Sequence, residues 1–281
     1  MSNLPKLRDL TQLNAVDFLF IRNLRTHNAF NEEEFFKQVK VDDLSFIIRI
    51  SKESNYFNTL CKQSKYKKLW DVIYSQIGLY LTAKETTPIS FFVHDDPNLD
   101  SFSLAKGAYL FYLYDLLRQE PGADYTPTKI KLLKEAVNLK SIHATQHYNQ
   151  FLFYKIEHND LEPDEDKRTL FKEAIANCKQ ELELYGSYAY MMLVETYFHY
   201  AKWAASEGNS DLVIKAIEAA QQNCSLAKKH LEKSTQSIHN ASLGRGLAFS
   251  NSFNVESPDE AKVLLQQWLE KNYTSQSAPR V

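Results

Sequence analysis

The stretch GSYAYMMLVETYFHYAKWAASEG, residues 186–208, places apolar side chains on nearly every side of a predicted helix. A helix that is apolar all round is buried inside a larger protein. Residues 209–220, NSDLVIKAIEAA, continue with apolar residues at helical spacing, and Asn209 or Ser210 is the expected N-cap. The two segments predict a pair of long packed helices with the first at the centre of the fold.

Composition supports a fold built from such helices. The 281 residues include only 7 glycines and 8 prolines, whereas β-rich and nucleotide-cradling folds need many glycines. The net charge of −2 argues against a dedicated nucleic-acid-binding protein. The three cysteines form no CxxC pair, so we expect neither disulfides nor a structural zinc site, and a reducing compartment fits best.

Helical patterns extend in both directions from the central pair. Thr128 is the expected cap of a helix that begins at Lys129, and Ser257 with Pro258 opens a final helix. The segment 82–100 has no helical period, so it predicts a linker or loop. We therefore predict an all-α protein with four parts: an N-terminal helical module at 1–81, the loop at 82–100, a helical-repeat-like domain at 101–271 and a flexible tail at 272–281.

The central pair resembles a tetratricopeptide-type hairpin. Ala201 and Gly208 are small where the helices of such a hairpin approach each other, and Ala220 lies where these repeats use a small residue. Residues 132–149 are similar to a Sel1-like half-repeat. The resemblance implies a tetratricopeptide-like antiparallel array over 101–271, and an irregular helical bundle is the alternative.

The N-terminal module resembles a degenerate F-box of three to five helices. Its pattern begins with EEEFFKQV, continues with VDDLSFIIRIS, and closes with SNYFNTLCKQSKYKKLW at 54–70. The resemblance implies docking to the adaptor subunit of a cullin-RING ubiquitin ligase. The candidate partner-binding residues are Phe35, Phe36, Leu44, Phe57, Leu60, Leu69 and Trp70. Aromatic residues at helical spacing are also typical of a core, and this alternative stays open.

The whole chain also resembles effectors that intracellular bacterial pathogens deliver through type IV secretion. The resemblance implies a protein that is cytoplasmic, or that reaches the host cytoplasm without a cleaved signal peptide. The N-terminus has no basic and then apolar leader pattern, and no segment has 18 uninterrupted apolar residues.

Three other groups of residues are weaker candidates for chemistry. His143 and His147 share a helical face as metal-ligating pairs do, but they lack the glutamate of a zinc hydrolase. The sequence His94-Asp95-Asp96 suits a cation bound through oxygen atoms, although such clusters are common in loops. Cys61, Cys178 and Cys224 are interpreted as ordinary buried thiols. We expect no catalytic residue, metal or cofactor.

The sequence therefore favours a non-enzymatic protein-interaction adaptor. The F-box-like module would dock one partner, and the helical domain would recruit a target, with Tyr188, Tyr190, Tyr197 and Tyr200 lining its surface or its core. The alternatives are a helical enzyme with a site under the 82–100 loop and a purely structural scaffold.

Overall fold

A computed structural model describes residues 32–84, 100–119, 125–233, 248–249, 253–255 and 257–273. The described chain is helical apart from one short antiparallel strand pair, so the predicted all-α class is confirmed. The helices are α1 Glu32–Gln38, α2 Leu44–Glu53, α3 Asn55–Cys61, α4 Lys67–Lys84, α5 Ser101–Arg118, α6 Pro127–Asn138, α7 Ile142–His158, α8 Lys167–Gln180, α9 Leu182–Tyr185, α10 Ser187–Ser206, α11 Ser210–Lys233 and α12 Pro258–Tyr273. The strands are β1 Ala248–Phe249 and β2 Phe253–Asn254, paired with Phe249 opposite Phe253.

Helix starts follow the capping residues that the sequence offers. The Ser54 side chain accepts a hydrogen bond from the Phe57 amide, and Asn209 accepts one from the Leu212 amide. Ser257 accepts from Glu260 at the start of α12, as predicted. These bonds satisfy amides that have no partner within their own helix.

The predicted cap of α6 was wrong by two residues. Thr126, not Thr128, caps this helix, and its Oγ1 accepts from the Lys129 amide. Pro127 occupies the first helical position, where its missing N–H removes no hydrogen bond. The proline therefore moves the helix start upstream of the position that the threonine pattern alone indicates.

Two predicted boundaries differ from the helix ends in the structure. Helix α4 continues to Lys84, beyond the predicted module boundary at 81, and α12 continues to Tyr273, past the predicted tail boundary at 272. Residues 1–31 of the predicted N-terminal module, most of the 82–100 loop, and residues 274–281 of the predicted tail lie outside the described residues.

Each long helix packs mainly against its neighbours in sequence. The series runs from α4 through α5, α6, α7 and α8 to α10, α11 and α12. Short connections such as 139–141 and 207–209 make the joined helices antiparallel. At one contact the approach is close, because a Cβ on Gly107 of α5 would lie 3.0 Å from the Leu139 Cβ. The tetratricopeptide-like and F-box-like details of this arrangement stay predictions.

Buried apolar side chains form two clusters. The first includes residues from Phe36 in α1 to Ala174 in α8, so it continues across the predicted boundary between the module and the repeat-like domain. The second centres on α10 and includes residues of α11 and α12. The quoted helix at 187–206 is thus central, as its apolar pattern predicts. No described helix is long and apolar enough to cross a membrane.

Candidate functional site

The residues predicted to bind a partner lie in the core of the N-terminal helices. Phe35 and Leu69 are half-buried, and the other five are at most 3% exposed: Phe36, Leu44, Phe57, Leu60 and Trp70. The indole Nε1 of Trp70 donates a 2.6 Å hydrogen bond to the Cys61 carbonyl. These side chains hold the helices together, and a docking role for them stays a prediction.

His143 of α7 is buried and His147 is half-buried, and both pack against aromatic rings. The rings of His143 and His147 lie 5.4 and 5.2 Å from the Phe111 ring. Burial lowers the pKa of His143 to about 4 and that of His147 to about 3. Both are therefore neutral packing partners near pH 7. Among the described residues, no group of three His, Cys, Asp or Glu side chains could hold a metal ion, and 94–96 lies outside them.

The three cysteines are buried thiols, as predicted. Burial raises the pKa of Cys178 and of Cys224 to about 12, and it raises that of Cys61 further. A thiol is nucleophilic only as the thiolate. These cysteines are therefore unreactive near neutral pH.

A pocket of about 220 Å³ lies between α7, α8 and α10, and we call it the α7–α8–α10 pocket. Each helix contributes one face to it, because its lining residues recur three or four positions apart. The lining residues are Phe153, Ile156 and Glu157 of α7, Lys167 and Phe171 of α8, and His199, Lys202, Trp203 and Ser206 of α10.

Aromatic rings form much of the pocket wall. The rings of Phe153 and His199 are stacked at 4.3 Å, and the rings of Phe171 and Trp203 lie 5.6 Å apart. Tyr200, outside the lining, stacks on Trp203 at 5.5 Å. The indole Nε1 of Trp203 is buried and has no hydrogen-bond acceptor among the described residues. The wall is therefore largely aromatic, with one donor that has no acceptor among the described residues.

His199 is neutral in this pocket. Burial, with a smaller contribution from Lys202, lowers its pKa to about 4. Its Nδ1 lies 3.7 Å from a Glu157 oxygen, and its Nε2 lies 4.0 Å from a Glu195 oxygen. Because the imidazole is uncharged near pH 7, neither approach is an ion pair there.

Two lysines add positive charge to the lining. Within the part of the chain that the structure describes, neither Lys167 nor Lys202 has a carboxylate within 4.0 Å. The Lys202 ammonium lies 4.4 Å from the centre of the Phe198 ring, and burial lowers its pKa. Both lysines are half-buried.

The pocket offers binding groups rather than a nucleophile and its base. Ser206 follows His199 by seven residues, which separates them by about 10 Å along the helix axis. The Ser206 hydroxyl donates to the Trp203 carbonyl at 2.7 Å. A serine activated by histidine needs direct hydrogen-bond contact between the two, so these residues do not form such a pair.

The sequence did not predict this pocket, although it did identify α10 as the central helix. Of the four tyrosines proposed as lining, Tyr188 is buried and the others are half-buried, and none lines the pocket. The available signal was polar: Glu195, His199 and Lys202 interrupt a helix that is otherwise largely apolar. A charged residue in such a helix is worth testing as a site residue.

Comparisons with known proteins give a family and a fold. The model of the family described as "Family of unknown function (DUF5630)" matches residues 35–265. Two solved structures have a TM-score of 0.64 at 18% identity. The uncharacterised protein lpg1670 matches over 93% of this chain and 95% of its own, and the Legionella pneumophila effector Lpg2505 matches over 92% and 89%. These two share its fold. A search of curated proteins found no match.

Proposed function

We propose that this chain, which belongs to the DUF5630 family of unknown function, is a non-enzymatic protein-interaction protein that binds a partner in the α7–α8–α10 pocket. The observation that carries the proposal is the pocket itself, with four ring systems and charged side chains at its lining. Buried aromatic side chains in well-packed pockets are where interfaces concentrate their binding energy.

The size of the pocket favours a single side chain as its occupant. Drug-sized ligands fill pockets of about 300–1,000 Å³, whereas a cavity of about 150 Å³ accepts benzene. The volume of about 220 Å³ lies between these limits. One aromatic side chain from a partner segment matches it, and the rings of Phe153, His199 and Trp203 in the lining offer aromatic contacts to that ring.

A display selection on the purified chain tests this proposal. Random peptides that bind the wild type would be re-measured by fluorescence anisotropy against two variants. Ser206→Trp adds a ring at the pocket, whereas Gln222→Trp adds one on an exposed position of α11. We expect aromatic-containing peptides that bind the wild type and Gln222→Trp, and at least tenfold weaker binding to Ser206→Trp. Equal binding to both variants would sink the proposal.

A bacterial effector is the biological role that we propose for this interaction protein. The support is the fold that it shares with Lpg2505, which is described as an effector. Fusion to a calmodulin-dependent adenylate cyclase would report delivery as a rise in host cyclic AMP. We expect that rise from a type IV secretion-competent strain and not from a secretion-deficient one. Equal signals from the two strains would contradict the proposal.

Docking of a cullin-RING adaptor subunit by the F-box-like segment is a second candidate function. The compact packing of α1–α4 around Trp70 supports it, since an F-box needs such a module. Because the predicted residues are mostly buried, exposed neighbours such as Val72 would supply the contact. In a pull-down with the purified adaptor, we expect Val72→Asp to lose binding and the exposed Gln76→Glu to keep it. No binding by the wild type would remove this candidate.

The two alternatives remain proposals of lower rank. A helical enzyme with a site under the 82–100 loop would use residues that mostly lie outside the described ranges, between Lys84 and Asp100. A purely structural scaffold would bind no peptide at the α7–α8–α10 pocket. The display selection therefore separates the scaffold from the interaction protein.

A further inference from the structure

We infer that the α7–α8–α10 pocket selects an aromatic side chain that has a carboxylate close to it, supplied by an acidic residue of the partner segment. This inference rests on the proposed function, because it names the chemistry of the occupant of the same pocket. The occupant would place its ring against the aromatic wall and its carboxylate beside Lys167 and Lys202.

Lys167 and Lys202 are the positive charges that a ligand carboxylate would contact. Most of the described ion pairs join a lysine to a carboxylate at 3.1 Å or less, as in the pair of Lys62 with Asp100. Lys167 and Lys202 line a pocket without such a partner among the described residues. A charge that is partly removed from water loses hydration, and an opposite charge at contact distance compensates for the loss.

Lys202 has an aromatic ring, and no carboxylate, at contact distance among the described residues. Its ammonium lies over the Phe198 ring at 4.4 Å, a contact that attracts a cation but leaves its N–H groups without carboxylate acceptors. A ligand carboxylate would supply those acceptors through charge-assisted hydrogen bonds. Glu157 and Glu195 also attract Lys202, but from beyond 4.0 Å, so a ligand carboxylate would be its first charge partner at contact distance.

The acidic side chains near the pocket decide where the carboxylate would lie. Glu157 and Glu195 approach opposite nitrogens of His199, so they flank the imidazole. Two carboxylates on that side repel an anion and favour a cation, and neutral His199 does not offset them. Both carboxylates also attract Lys202 and partly offset its charge. The ligand carboxylate is therefore expected in direct contact with the ammonium groups of Lys167 and Lys202, away from the His199 ring. A ligand with an amine, attracted by Glu157 and Glu195, is the alternative, and the experiment therefore includes an amine probe.

Trp203 provides a separate observation that favours an acceptor on the ligand. Its Nε1 is a buried donor without an acceptor among the described residues. A buried unmet donor is unfavourable, and an acceptor that reached it after a small ring movement would relieve this cost. Carboxylate and peptide carbonyl oxygens are both acceptors, whereas an ammonium group is not.

Three small probes that share an indole ring separate these possibilities. Indole-3-propionate carries a carboxylate, indole-3-propionamide is its neutral counterpart, and tryptamine carries an amine. Affinities would be measured by ligand-observed NMR on the full chain, with millimolar dissociation constants expected for fragments of this size. We expect the carboxylate to bind at least fivefold more tightly than the amide, and tryptamine to bind most weakly.

Lysine variants assign the preference to the pocket. Lys202→Met keeps a long stem without the charge, Lys202→Arg keeps the charge, and Lys215→Met removes an exposed charge on α11. We expect Lys202→Met to bind the carboxylate and the amide equally. Lys202→Arg and Lys215→Met should keep the preference. Loss of the preference in Lys215→Met would mean that general charge, not the pocket, selects the anion.

The outcomes distinguish the inference from the proposed function. Equal binding of carboxylate and amide, with both weakened by Ser206→Trp, overturns the anion preference and leaves an aromatic-binding pocket. Tighter binding of tryptamine overturns the preference in the opposite direction. If no probe binds, and no display peptide is sensitive to Ser206→Trp, the proposed function fails together with the inference.

Discussion

The core around Trp70 and the core between α7, α8 and α10 are built in different ways. Trp70 lies among Phe36 and Phe102, with ring centres 5.9 and 4.8 Å away, and its one polar atom is satisfied by a backbone carbonyl. Between α7 and α8, the buried side chains include Thr145 hydrogen-bonded to Glu181 and Asn149 hydrogen-bonded to Asn177. The first core is held by apolar packing and the second also by side-chain hydrogen bonds.

The difference has a consequence for stability. Apolar packing varies little with pH, whereas a buried ionisable group links folding to protonation. A polar core is also sensitive to the loss of one polar group, because removal of one hydrogen-bond partner leaves the other buried and unsatisfied. The N-terminal helices should therefore respond mainly to lost volume, and the array should respond to lost hydrogen bonds and to pH.

The largest effect is expected from Trp70→Ala. The side chain is 1% exposed and contacts rings from α1 and α5, so its removal leaves a large cavity. We expect a loss of about 3–5 kcal/mol in the free energy of unfolding, measured by urea denaturation. Val72→Ala, on an exposed position of α4, should change it by less than about 0.5 kcal/mol. A loss below about 1 kcal/mol for Trp70→Ala would mean that this core is not tightly packed.

Glu181 should make the stability of the array depend on pH. It is fully buried, its Oε1 accepts from Thr145, and its Oε2 has no partner among the described residues. Burial raises its pKa to about 8 from an ordinary 4.5. Between these values the folded protein keeps a proton that the unfolded chain releases. Stability from this group is therefore present below pH 4.5 and is lost as pH rises towards 8.

The matching measurement compares wild type with Glu181→Gln in urea at pH 5 to 8. We expect this group to reduce wild-type stability by about 3 kcal/mol over that range, and the variant to lack this contribution. The difference between the two curves is the informative quantity, because His143, His147 and His199 have lowered pKa values and give the opposite slope below about pH 6.5. Parallel curves would contradict a buried, proton-holding Glu181.

Asn149→Ala tests the hydrogen-bonded part of the same core. The Asn149 amide donates to the Ala174 carbonyl and the Cys178 sulfur, and its oxygen accepts from Asn177. Loss of the side chain leaves these partners buried without a hydrogen bond. We therefore expect the free energy of unfolding, measured by urea denaturation, to fall by about 2 kcal/mol. Asn223→Ala breaks a single half-buried bond to the Ala219 carbonyl and should lose less than about 1 kcal/mol. Similar losses would remove the contrast between a network and an isolated bond.

The sequence predicted the apolar half of this comparison better than the polar half. Helical spacing left Leu44, Phe57 and Trp70 open as docking or core residues, and the structure buries all three, as apolar periodicity often indicates. Nothing local distinguishes Glu181 from an exposed glutamate, since its burial depends on helices that meet it from distant parts of the chain. The α7–α8–α10 pocket was missed for the same reason: Phe171 and His199 are 28 positions apart, and only tertiary packing brings them together.

The smallest effect is expected from Thr145→Val, a substitution of similar shape. The Thr145 hydroxyl donates to Glu181 at 3.0 Å and lowers a pKa that burial raises, so its loss should raise the pKa of Glu181 further. We expect a loss of about 1 kcal/mol in stability and a midpoint of the Glu181 titration moved above pH 8. Urea denaturation from pH 5 to 9 would measure both.

Thr196→Val is the matched control for that shift. Thr196 is equally buried, but its hydroxyl donates to the Met192 carbonyl and lies 3.6 Å from the Cys178 sulfur. This variant should lose similar stability and leave the Glu181 midpoint unchanged. A midpoint that moves in both variants would mean that general loosening of the core sets the pKa of Glu181. A shift confined to Thr145→Val would locate the pH dependence in one hydrogen bond between α7 and the end of α8.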